Sequence, residues 1–150
     1  MSSPLTEAWD IAARITVYLL DNLPEGGWEA ELAKGKSVAA QFAHLHNVRL
    51  MWLKASAPHL HEGQVKLEKA SREETRAALE ASAAAISQMI QDAEDAGARV
   101  KNFKPHTAAF VGYMASHEAC HRAQVELALR QTGLKLDQKI EYGQWEWGVR

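Results

Sequence analysis

The chain has 150 residues, 47% hydrophobic and 24% charged, enough to bury a sizeable core as one domain over residues 1–150. Seventeen basic against nineteen acidic side chains leave a formal charge of −2 with no long run of either sign, so the footprint of a nucleic-acid binder is missing. The single cysteine excludes an internal disulfide framework; no stretch reaches the roughly 18 apolar residues of a membrane span, and none reads as a secretory leader, so we expect a cytoplasmic protein.

Four segments carry a helical period. The first runs from Pro4 to about Leu23, with Ser3 as N-cap and Trp9, Ala12, Ile15 or Thr16, Leu19 and Leu23 on one stripe. The second runs from Ser37 to about Ala57, where Pro58 forbids continuation, and carries His44 and His46 among Phe42, Leu45, Leu50, Met51, Trp52 and Leu53. The third opens on Ser71-Arg72-Glu73-Glu74, a capping box, and ends near Gly97 after an alanine-rich stretch whose greasy side is Leu79, Ile86, Met89 and Ile90. The fourth starts after Pro105 and stops at Gly133. The aromatic tail from Tyr142 to Gly148 is expected to pack back on the body. With no strand signal between them, four amphipathic helices predict an all-α four-helix bundle. The long connectors Gly26–Lys36 and Pro58–Ala70 leave room for a long crossover.

Chemistry concentrates in His117-Glu118-Ala119-Cys120-His121, where two histidines four positions apart on one helix aim the same way and can pinch one divalent cation. We place both on the buried stripe Phe110, Met114, His117, His121, Val125 and Ala128, flanked by Tyr113, Cys120 and Gln124. A third ligand then comes from His44 or His46, and only one of these can serve, because positions two apart point to nearly opposite sides of a helix. Three imidazoles leave a coordination position for water or substrate, and nickel and zinc both suit nitrogen ligands. Such an ion can activate water for hydrolysis or a small thiol for S-transfer.

The same five residues match the H-E-x-x-H pattern of zinc proteases, with Glu118 as general base. That reading is disfavoured, because no histidine follows His121 and none of Glu126, Glu141 and Glu146 lies in a recognisable third-ligand motif. His59 and His61 read as exposed loop residues, and His106 as a helix-start residue. Cys120 reads as a small buried group or an extra ligand, and Trp52, Trp145 and Trp147 as packing residues. Arg122 and Gln124 either orient a substrate or solvate the helix.

The stretch Ser37-Val38-Ala39-Ala40-Gln41-Phe42-Ala43-His44, continuing to Trp52-Leu53, resembles the second-helix signature of the DinB/YfiT-like family, and His117-Glu118-Ala119-Cys120-His121-Arg122-Ala123-Gln124 resembles its last-helix signature. This family is unrelated to the DNA polymerase of similar name. The resemblance implies a four-helix bundle with a long crossover, often a homodimer, holding a nickel- or zinc-type ion on three histidines. Laid on this chain, it selects His44, His117 and His121, with His46 in reserve. Many relatives carry a further histidine where Cys120 stands. Characterised relatives include thiol-dependent transferases and isomerases that use low-molecular-weight thiols. The expectation is therefore a metal-dependent hydrolase or thiol transferase acting on a small molecule; the competing expectation is a non-catalytic metal-binding or stress-related interaction module.

Overall fold

The computed structural model describes residues 2–150, and among them every regular element is helical. Four long helices, α1 (Pro4–Asp21), α2 (Val38–Ser56), α4 (Arg72–Asp95) and α5 (Thr107–Gln131), are joined by connections holding two short ones, α3 (Pro58–His61) and α6 (Gln138–Gly143). An isolated bridge between Glu31 and Ser37 pins the connection into α2.

The helix starts follow from local chemistry. Ser3, Ser37 and Ser71 each accept a hydrogen bond from the backbone N–H three residues on, worth about 1 kcal/mol per cap. Glu74 returns the favour to the Ser71 N–H at 2.8 Å, completing the capping box. Both α4 and α5 end before a glycine in the left-handed region, Gly97 at φ +60° and Gly133 at φ +76°.

Helices α1 and α2 each pack against both α4 and α5, and their apolar faces meet in two clusters. Trp9 and Ala13 of α1 join Leu50 and Leu53 of α2, Ile86 and Ile90 of α4, and Phe110 and Met114 of α5. Leu19 and Leu20 join Phe42, Leu45, Leu79 and Val125 in the other. Reading each helix from one cluster to the other gives its direction: α1 and α5 run one way, α2 and α4 the opposite way. Residues 57–71, between α2 and α4, are fastened to the body by two side chains of α2. His46 Nε2 meets the Val65 carbonyl at 2.9 Å, and the Asn47 amide both donates to and accepts from the Leu67 backbone.

Between the clusters lies a buried polar layer made of Thr16, His46, Arg49, Ser82, Glu118 and Arg122, one or two from each long helix. This layer corrects the stripe expected for α5. The buried positions there include Phe110, Met114, Glu118, Arg122, Val125 and Ala128, whereas His117 and His121 are half-buried along the seam with α2. Alanine and cysteine dilute the periodicity of α5, so apolar spacing alone could not tell the charged row from the histidine row. Cys120, expected to be buried or a further ligand, is exposed and outside the histidine group.

The tail packs back only in part. Gly143 is buried where a side chain would collide with the Tyr18 ring, and the Arg150 guanidinium stacks 3.9 Å from the centre of that ring. Trp145 nevertheless remains 79% exposed.

Candidate metal centre

The seam between α2 and α5 brings three histidines together. Donor nitrogens of His44, His117 and His121 all lie within 4.8 Å of one another. His44 sits two turns into α2; the other two occupy successive turns of α5, which runs antiparallel beside it. Ring centroids are separated by 4.4 Å for His44 and His121, 4.5 Å for His117 and His121, and 5.3 Å for His44 and His117.

The nitrogens are oriented as well as close. Gln41, fully buried one turn before His44, receives a hydrogen bond from His121 Nδ1 at 2.6 Å, and its own Nε2 donates to Gln124 Oε1 at 2.8 Å. Because an amide oxygen can only accept, His121 carries its proton on Nδ1 and keeps the lone pair of Nε2 free for the cluster. His44 Nε2 and His117 Nε2 face each other at 3.3 Å. Two nitrogens bound to one tetrahedral ion at about 2.0–2.1 Å stand roughly 3.3 Å apart, so the spacing of this pair suits a shared zinc-sized cation. His117 Nδ1 is buried and meets no hydrogen-bond partner among the described residues.

Electrostatics keep these rings in the ligating form. Burial lowers the pKa of all three; Lys36 adds to the effect at each, and neighbouring imidazoles add to it at His44 and His121. For His121 the result is a value of about 4. At neutral pH the rings are therefore uncharged, with lone pairs available to a cation.

His46 takes no part. It is buried on the other side of α2, with Nδ1 3.0 Å from Ser82 Oγ and Nε2 on the Val65 carbonyl. His59 and His61 lie on α3, and His106 caps α5 without a side-chain hydrogen bond. Trp52 packs edge-on against Phe103, Phe110 and Tyr113.

Glu118 is turned away from the histidines into the polar layer. Its Oε1 accepts from Arg49 Nη2 at 2.5 Å and from Thr16 Oγ1 at 2.8 Å, with both charged side chains fully buried. A carboxylate so enclosed cannot share a water with His117 and His121, which removes the protease reading of H-E-x-x-H. Arg122, expected to touch substrate or solvent, is also drawn inward, its Nη1 donating to Thr16 Oγ1 at 3.0 Å.

Three contributors escaped the sequence reading. Arg49 stood in plain view as a charge inside an apolar stripe. Gln41 shares the face of His44 one turn earlier. Lys36 acts from a loop, where spacing carries no information.

Among the described residues no helix is long and apolar enough to cross a membrane. A search of curated proteins gives no match. A family model described as the DinB family matches residues 1–143, and with nearly the whole chain covered, this protein belongs to the DinB family.

Proposed function

We propose that His44, His117 and His121 hold a divalent ion, nickel or zinc, through their Nε2 atoms, and that the protein is a metal-dependent enzyme of small-molecule chemistry. The observation that carries this reading is the convergence of three uncharged imidazoles at one point, one of them fixed in tautomer by a buried amide. An ion held by three protein ligands keeps a position open and, when bound, supplies Lewis-acid activation of water or of a thiol.

Between hydrolysis and thiol transfer, the residues favour the second. Hydrolysis calls for a group that takes a proton from water and returns one to the leaving group. No carboxylate joins the three histidines among the described residues, and the one adjacent in sequence, Glu118, is committed to Arg49. A thiol, with a pKa near 8.5 in its free form, needs far less help to ionise. Lys36, whose charge is felt by all three histidines, would favour the thiolate further. The substrate class on this reading is a low-molecular-weight thiol and its acceptor. The same enclosed carboxylate also keeps a second reading open, a non-catalytic module in which the ion is structural.

The architecture that goes with this function is a single four-helix bundle domain, with residues 57–71 as its long crossover and a homodimer as its assembly. Elemental analysis of protein purified without an affinity tag tests the core of the proposal. We expect close to one nickel or zinc per chain, lost in His117→Ala and His121→Ala, strongly weakened in His44→Ala and unchanged in His46→Ala. Equal retention by all four variants would refute the ligand set; a saturated coordination sphere in the absorption spectrum of the cobalt-substituted protein would favour the structural module.

A further inference from the structure

A cavity of about 160 Å³ lies on the opposite side of α5 from the histidines. Residues two apart on a helix are turned by about 200°, so Ala119 and Ala123 face it while His117 and His121 face α2. Trp145 and Trp147 of the tail form the facing wall, and Arg122 and Glu126, one turn apart, supply its charge.

Arg122 is the unusual member. The residue is only 8% exposed, yet it makes no ion pair with any carboxylate among the described residues. Only Nη1 is hydrogen-bonded, to Thr16 Oγ1 and the Ala12 carbonyl. Its remaining N–H groups have no protein partner, and the residue lines the cavity. The buried layer holds two guanidiniums, Arg49 and Arg122, against the single Glu118 carboxylate, whose Oε1 is bonded to Arg49 and whose charge Arg122 feels without touching it. Burial disfavours the Arg122 charge and the nearby Glu118 and Glu126 only offset that in part, so an anion at this spot would add charge-assisted hydrogen bonds to N–H groups that have no protein partner. Glu126, held by Gln144 at 2.7 Å, sits one turn further along and offers a negative charge to the same space. Trp145 and Trp147 line the same space, and an indole ring attracts a cation placed over its face. Trp145 is 79% and Trp147 38% exposed, more than two packing tryptophans would accept, but what the rim of a binding pocket requires.

We propose that this cavity is a binding site for a small zwitterionic amino carboxylate, its carboxylate on Arg122 and its ammonium between Glu126 and the two indoles. The volume sets the size. Drug-sized ligands occupy pockets of about 300–1,000 Å³, so the ligand here is an amino acid with a short side chain or a compound of similar bulk. The site is independent of the metal centre and of the function proposed for it.

Titration of the intact protein with L-alanine, propionate and n-propylamine tests the assignment, read from the indole N–H resonances of Trp145 and Trp147, identified with Trp145→Phe and Trp147→Phe. L-Alanine is expected to shift both resonances with a millimolar Kd, and propionate and n-propylamine, each offering one charge of the two, to bind more weakly. Arg122→Met should weaken L-alanine at least about tenfold. Because that variant sits in the core and its folding is at risk, Glu126→Gln provides a second reading: L-alanine should drop to the affinity of propionate while propionate itself is unaffected or gains. His117→Ala should leave the response intact, which separates this site from carboxylate coordination at the metal centre. No shift with L-alanine, an equal response to n-propylamine, survival of binding in a folded Arg122→Met, or loss of it in His117→Ala would each overturn the proposal. So would indole resonances that move with protein concentration and not with L-alanine, since a second copy of the chain would then cover the rim.

Discussion

Arg49 on α2 and Glu118 on α5 meet at 2.5 Å with neither side chain exposed to solvent, one residue along α5 from His117 and five along α2 from His44. The pair is extended by the Thr16 hydroxyl on Glu118 and by the Leu79 carbonyl and Ser82 hydroxyl on Arg49, so all four long helices contribute to it. Cutting one partner from such a pair leaves a bare charge in the core.

Glu118→Ala and Arg49→Met are each expected to lower unfolding free energy by about 3–5 kcal/mol, measured by urea denaturation. The double variant Glu118→Leu with Arg49→Met should recover part of that loss, because neither member of the pair is left without its partner, while Arg122 stays charged in the same layer. A folded, fully stable Glu118→Ala protein would contradict the buried ion pair.

Gln41→Leu keeps the bulk of the side chain and removes the acceptor that fixes the His121 ring. Loss of such an outer hydrogen bond should weaken metal binding by about 10–100-fold, while Gln41→Glu retains or improves it by making the imidazole more basic. Competition against a chelator of known affinity provides the measurement. Gln124→Ala, acting through Gln41, should have a smaller effect.

Acidification should destabilise the metal-free protein. An unfolded histidine takes up its proton near pH 6.5, whereas the folded chain holds His44, His46, His117 and His121 below that value, chiefly by burial, with His121 at about 4. Below pH 6.5 the unfolded state therefore binds more protons, and stability falls with pH until the folded sites titrate too. Denaturation midpoints should be flat from pH 8 to about 7 and decline between about 6.5 and 4. Bound metal should be released over the acid side of the same range, since protonated imidazole has no lone pair to offer.

His46→Ala should leave the histidine cluster intact and instead free the segment 57–71. It removes the tie to the Val65 carbonyl and leaves Ser82 Oγ short of one partner, at a cost of about 1–3 kcal/mol. Hydrogen exchange should quicken around Leu67 and Asn47 while metal content is unchanged.

Much of this was legible before any coordinates. Helix starts were readable because Ser3, Ser37 and Ser71 act through chemistry local to three residues. The choice of His44 over His46 needed the family resemblance, since spacing alone only says that the two point apart. Depth was the weakest reading: apolar periodicity ranks charged residues as exposed, and here it placed histidines where Glu118 and Arg122 belong. Two charges that satisfy each other across helices distant in sequence leave no periodic trace. The short α3 and α6 were missed for a related reason, four and six residues being too few to display a period.

The polar layer between the two apolar clusters has a consequence for assembly of the chain. Leucine and alanine surfaces tolerate sliding, since one greasy ridge fits a groove about as well as the next. A guanidinium does not: a slip of one turn, about 5.4 Å, would strand Arg49 among leucines and leave Glu118 facing hydrocarbon. The vertical alignment that brings imidazoles from separate helices to one point is thus enforced by charges that never touch them.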